Sequence, residues 1–242
     1  MRYLIFRYVY SMAKFTPGLV ISEMRGKVAA SVYTKNKAGA AIRNRTTPIN
    51  RRSVGQTQKR QQLSSLSSSW RGLTQAQRDG WNVAAPSFPQ QDTLGQTVFL
   101  TGSQLYVRCN ANLILIGSAQ ITSAPTPASF SVLAIGAYTA VSGTGVISVA
   151  FTPTPVPAGF SLVFKASAPV SAGKSFMGNS GFRFIQIAAA AVASPALLST
   201  AYALVFGAIT GKSGQKIFIK INYVQTSSGL ASIPVRAVAI IS

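Results

Sequence analysis

The apolar and polar positions of this chain fall into two textures. Across residues 54–116 the apolar side chains recur at helical spacing. Leu63, Leu66 and Trp70 stand at i, i+3 and i+7, with Leu73 just beyond, and predict a buried stripe on a helix over 54–71. A shorter helix over 75–84 follows, anchored by Trp81, and a third over 102–116 turns Leu105, Tyr106, Cys109 and Leu113 inward. Ser53 with Gln56 and Thr74 with Gln77 have the S/T-x-x-Q form of a capping box, and Thr101 or Ser103 caps the third helix. Upstream, the runs 28–33 and 40–45 flank Lys35–Gly39 and read as a small basic hairpin, with Gly39 supplying the unusual backbone angle.

From residue 130 onward the period changes. Short runs rich in Val, Ile and Phe at 146–151, 160–166, 181–187, 201–206, 216–223 and 233–241 are separated by Pro, Gly and Ser. The clearest alternates: Ile217, Ile219 and Ile221 on one face, Phe218, Lys220 and Asn222 on the other. Strands at this spacing predict an antiparallel β-sandwich. The seam at 123–129 carries two prolines, and each disfavours helix at the residue before it. The expected class is therefore α+β: a basic arm, hairpin and helical region over 1–122, a linker at 123–129, and a sandwich over 130–242.

Composition removes chemistry from this picture. The 242 residues hold 23 Lys+Arg, three acids (Glu23, Asp79 and Asp92), one Cys (Cys109) and no His, for a net charge of +20. Metal cages of His, Cys or carboxylate, carboxylate-pair acid–base catalysis and a Ser-His-Asp arrangement all lack parts. We expect no enzyme, no metal and no cofactor. Hydrophobic residues make up 48% of the chain, too many for a disordered polycation. One cysteine forms no internal disulfide framework.

Three short strings imitate known sites and fail. Gly207–Ser213 is one residue short of a phosphate loop and has no following helix in the predicted order. Ser171-Ala-Gly-Lys174 lacks the partner motifs of an S-x-x-K enzyme, and Asn44-Arg-Thr46 is only a glycosylation triplet. Residues 184–211 carry no charge and are long enough to span a bilayer, but Pro195 and interrupting polar residues argue against a span. The opening run is broken by Arg7 and followed by no small-residue cleavage site, so it does not read as a signal peptide; Met12 is a second candidate start.

Charge is concentrated. Residues 1–120 hold 16 of the cations and all three acids; residues 121–242 hold seven cations and no acid. Within the first set, Arg25, Lys27, Lys35, Lys37, Arg43, Arg45, Arg51, Arg52, Lys59 and Arg60 follow one another with no acid between them. Such a run calls for an anionic partner, either an acidic protein surface or nucleic-acid phosphates. Trp70 and Trp81, set beside Leu63, Leu66 and Leu73, are expected to pack as core and not to form a stacking platform.

One stretch carries a resemblance. It runs through Arg25-Gly-Lys27, Asn36-Lys37, Arg43-Asn-Arg45 and Pro48-Ile-Asn50 to the motif W-x-x-L-T-x-A-Q-R-x-x-W-N at Trp70–Asn82, and ends in Leu100–Asn112. It resembles a family of poorly characterised tailed-phage and prophage proteins that look like virion structural components. The sandwich half resembles the fibronectin-III or immunoglobulin-like domains that such viruses append to capsid and tail proteins. The resemblance implies a multicopy or homo-oligomeric bacteriophage virion component, made in the bacterial host cytoplasm and active outside any membrane. The preferred role is a capsid decoration or minor capsid protein docking on capsid or connector subunits. The alternative is a nucleic-acid-binding protein that contacts DNA through residues 25–60.

Overall fold

The computed structural model describes residues 12–14, 23–36, 39–45, 50, 52–92 and 95–242. It is an α+β protein whose sheets pair antiparallel strands. Two compact units divide it, residues 1–60 with 89–100 and residues 61–88 with 101–242.

In the first unit, β1 (Met12–Lys14), β2 (Gly26–Val28), β3 (Ser31–Asn36) and β4 (Gly39–Asn44) form a sheet in the order β1-β4-β3-β2. The predicted hairpin is β3–β4, closed where Asn36 faces Gly39, and Gly39 has the positive φ of +105° expected of it. The run 28–33 is not one strand. Ala29 at φ +48° turns the chain so that Val28 pairs with Ser31, and two strands replace one. Alanine carries no turn signal, which is why the break was not legible. The same unit holds the first turns of α1 (Val54–Gly72).

The second unit begins with the rest of α1. It adds α2 (Gln75–Ala84) and, after the first unit's hairpin of β5 (Gln90–Gln91) and β6 (Thr97–Val98), α3 (Gly102–Ile116). Complete capping boxes start α2, between Thr74 and Gln77, and α3, between Thr101 and Gln104. Each satisfies two backbone donors that the first helical turn leaves without partners. Trp81 is fully buried, meets Tyr106 edge-on at 5.3 Å and donates through Nε1 to the Thr122 carbonyl at 2.8 Å. Buried Asn110 fastens the neighbouring residue, accepting from the Ile121 N–H at 2.8 Å and donating to the Ile121 carbonyl at 3.2 Å.

Beyond the extended segment 123–129 lie β7 (Ala134–Val141), β8 (Val146–Thr152), β9 (Phe160–Ser167), β10 (Phe182–Ala188), β11 (Ala196–Leu197), α4 (Ser199–Phe206), β12 (Lys216–Gln225) and β13 (Val235–Ile240). They make a three-stranded sheet, β11-β8-β7, and a four-stranded sheet, β10-β9-β12-β13. Val149 and Phe151 from the first share one buried cluster with Leu162, Phe164, Ile217, Ile219, Ile221 and Tyr223 from the second. Of the two faces that alternation gives β12, the one with Ile217, Ile219 and Ile221 joins this cluster, and Phe218 and Asn222 on the other face are buried as well. At the end of β13, Ser242 accepts from the Ser142 N–H at 2.6 Å and joins that edge to the chain leaving β7.

Residues 201–206 correct the expectation of strand. They lie in α4, where Tyr202 is buried and donates its hydroxyl to the Ser167 carbonyl at 2.8 Å. Gly207, at φ +81°, ends the helix. A short run that is apolar throughout has no period with which to choose between helix and strand. β7 and β11 were missed for the opposite reason: one is rich in Ala, Gly and Thr, the other is two residues long.

Gly229, in the turn after β12, touches α3 so closely that a Cβ there would overlap the Cys109 carbonyl, and its φ is +69°. Gly229→Ala is expected to lower the unfolding free energy by about 1–3 kcal/mol. Tyr202→Phe, which removes the donor from a buried carbonyl, is expected to cost a similar ~1–3 kcal/mol. Urea midpoints of the purified variants measure both.

Candidate anion-contact surface

The basic run becomes two groups of side chains in the first unit. In the sheet, Lys27 and Arg43 both stand opposite Val32, so all three share one row on one face. Val32 is buried and both cations are exposed. Lys35 alternates to the other face with Tyr33. Glu23, outside the run in sequence, folds onto it: its Oε1 accepts from Arg25 Nε at 2.6 Å and lies 3.6 Å from Lys35 Nζ. All three side chains are solvent-accessible, and pairs of that kind contribute under about 1 kcal/mol. Arg45, just past β4, fixes its backbone to the Ala30 carbonyl at 2.7 Å and leaves its side chain exposed.

The second group lies around the start of α1, where Asn50 meets two of its members. The Asn50 Oδ1 accepts from Arg60 Nη1 at 2.9 Å and from the Arg52 N–H at 3.3 Å. Arg52, Lys59 and Arg60 are all exposed, and the first turn of α1 contains no acid. The helix dipole places further positive potential there, so dipole and side chains attract an anion together. Lys37 and Arg51 lie outside the described residues. Among the described members of the run every side chain is exposed.

Of the helical residues, Leu66, Leu73 and Trp81 are buried, and Trp70 packs its ring 5.4 Å from Tyr106. Leu63 departs from the expected stripe: it is 55% exposed. It lies one turn before the point where α1 is covered. With Ser67, Trp70, Val107 and Arg108 it lines an open, largely apolar groove of about 360 Å³ between α1 and α3. A second groove, about 480 Å³, runs along Gln120–Thr126 and is closed by Gln225, Ser227 and Ser228. Its lining offers hydroxyls and amides for hydrogen bonding.

Sequence reasoning passed over a third set of cations. In the four-stranded sheet the register places Phe184, Lys165, Lys220 and Arg236 directly opposite one another on successive strands. Each cation is visible in its own strand, but only strand order and register bring them together.

The groups with raised pKa lie in packed regions. Burial pushes Tyr106, Tyr138, Tyr202 and Tyr223 upward. It pushes Cys109 to about 11, against a small opposing effect of Arg108. No group of three His, Cys, Asp or Glu that could hold a metal occurs among the described residues. No described helix is long and apolar enough to cross a membrane. The phosphate-loop imitation at Gly207–Ser213 follows a helix and precedes a strand, the reverse of the order that motif needs. No protein-family model, curated protein or solved structure matches this chain.

Because Cys109 is buried and its thiolate is disfavoured, iodoacetamide should label the native protein only slowly at pH 8. Labelling should rise as the pH approaches about 11, and denatured chains should react rapidly at pH 8. Intact-mass spectrometry over time measures all three.

Proposed function

We propose that this chain is a non-enzymatic structural protein of a tailed-bacteriophage particle, a capsid decoration or minor capsid protein that docks through its basic N-terminal region on an anionic neighbour. One observation carries the reading. The described cations of residues 25–60 are all solvent-exposed, and they outnumber the three acids of the whole chain. A surface with that surplus attracts an anionic partner over distances comparable to the Debye length, about 8 Å at physiological salt, and weak contacts add when many copies assemble.

The strand order supports a fibronectin-III or immunoglobulin-like sandwich for the C-terminal part. Counted from β7, the first, second and fifth strands make one sheet, and the fourth, third, sixth and seventh make the other. This is the partition of an A-B-E sheet against a C′-C-F-G sheet. Domains of this kind are assembly modules in many unrelated proteins, so the likeness speaks to architecture and the exposed charge to partner choice.

Two measurements test the proposal. In density of an intact particle the chain should occupy repeated, symmetry-related positions with residues 25–60 against an acidic protein surface; absence from purified particles would overturn it. Retention of the full-length protein on double-stranded DNA, measured from 50 to 200 mM salt, addresses the alternative. If about 6–10 of these cations met phosphates, affinity would fall by about 10³–10⁵ over that range. We expect only weak retention. Tight retention with that salt slope would favour the nucleic-acid reading.

A further inference from the structure

The row Phe184–Lys165–Lys220–Arg236 crosses all four strands of the sheet β10-β9-β12-β13 on the face turned away from the shared core. Neighbouring strands lie about 4.8 Å apart, so three cations fall within about 10 Å of one another. Like charges directly opposite on adjacent strands are unfavourable. Residues 121–242 contain no acid side chain with which to offset them. Neutral groups stand in. Asn179 Oδ1 accepts from Lys220 Nζ at 3.1 Å and from Arg236 Nη2 at 2.9 Å. The Arg236 guanidinium lies 5.6 Å from the ring centres of both Phe176 and Phe182, and Lys220 lies 6.0 Å from Phe182. The compensation is partial: Lys220 has its pKa lowered by burial first and then by the charges of Lys165 and Arg236.

The face has two ends. Val163, Asn222 and Val224 are buried, toward the end of β12 where α3 packs. At the charged end Phe218 is buried and Lys165 and Lys220 are half-buried, while Arg236 and the bordering apolar side chains are exposed: Phe176 is 66% exposed, Phe184 40%, Val238 49% and Ile240 61%. Val238 stands opposite Phe218 and Ile240 opposite Lys216, on the same face as Arg236.

We propose that this end of the four-stranded sheet is a second docking surface, and that its occupant is an acidic, amphipathic segment of a different protein. Carboxylates of that segment meet Lys165, Lys220 and Arg236 while its apolar side chains cover Phe184, Val238 and Ile240. Aromatic, aliphatic and Arg side chains together have the composition of a protein interface, and the charge selects an anionic partner. A second copy of this chain does not fit. Its acids are only Glu23, Asp79 and Asp92, and Glu23 is engaged by Arg25 and Lys35. Single-stranded nucleic acid fits less well, because it makes no use of Val238 and Ile240 and Arg236 already occupies one face of both Phe176 and Phe182. This proposal rests on the reading of the chain as an assembly component and extends it to a second surface.

The test uses the purified, isotope-labelled full-length protein, so it does not depend on particle incorporation. It is titrated with a synthetic peptide of alternating Glu and Val, with the same peptide carrying Gln for Glu, and with oligothymidylate. Saturable amide shifts centred on Phe184, Lys165, Lys220, Arg236 and Val238 are expected from the Glu peptide, with at least tenfold weaker binding of the Gln peptide. Lys220→Gln combined with Arg236→Gln should weaken the Glu peptide about tenfold or more. The peptide comparison within the unaltered protein stands even if that variant folds poorly. Shifts confined to residues 25–60, no saturation at millimolar peptide, or tighter binding of oligothymidylate on this face would each overturn the assignment.

Discussion

The constraint on which the rest of this molecule depends is a near absence of acid side chains to set against its cations. A protein with 23 Lys+Arg and three acids cannot organise its surface by ion pairing. The structure uses three substitutes. Most basic side chains of residues 25–60 stand in solvent, where water screens them. Amide oxygens take the place of carboxylates twice: Asn50 gathers Arg60 and the Arg52 backbone, and Asn179 gathers Lys220 and Arg236. Aromatic faces do the same work beneath Arg236. Each device relieves local repulsion without cancelling charge, so the surplus remains available to a partner.

The stability of the second unit comes from elsewhere. Trp81 joins α2, α3 and the segment at Thr122 through an edge-on ring contact and a hydrogen bond, and Asn110 holds the adjoining Ile121. The two sheets then share an apolar core in which full burial of each large side chain contributes roughly 1.5–3 kcal/mol. Cations are kept out of that core, which lets a strongly basic chain fold: Lys165, Lys220 and Arg236 take the outward positions of strands whose inward positions are aliphatic or aromatic.

Which parts of this were legible in sequence follows from how local each determinant is. The bounds of α1, α2 and α3 were readable to within a residue, because Trp and Leu spacing and the capping boxes act over three to seven residues. The runs 146–151, 160–166, 181–187 and 216–223, rich in β-branched and aromatic residues, match strands 146–152, 160–167, 182–188 and 216–225 to within two residues. Residues 201–206 misled because an unbroken apolar run carries no period, and Leu63 because a stripe does not show where its cover ends. The site divides the same way. A run of ten cations is visible in one dimension. The folding of Glu23 onto Arg25 and Lys35 crosses a turn, and the Lys165–Lys220–Arg236 row requires two strand registers.

Charge sign also bears on how such a chain assembles. Two copies approaching each other bring +20 against +20, and screening weakens that repulsion only beyond about 8 Å at physiological salt. Net charge therefore opposes direct self-association through either basic surface, and on the proposed assembly role a partner that supplies negative charge relieves that repulsion. An anionic scaffold with regularly spaced sites supplies that charge. It gathers many copies while keeping like-charged faces apart, and the second basic surface on the four-stranded sheet becomes selective, because only a heterologous acidic segment can approach it without repulsion. On this argument the scarcity of acids is itself a specificity device: it disfavours the homotypic contact that the exposed apolar residues Phe184, Val238 and Ile240 would otherwise invite.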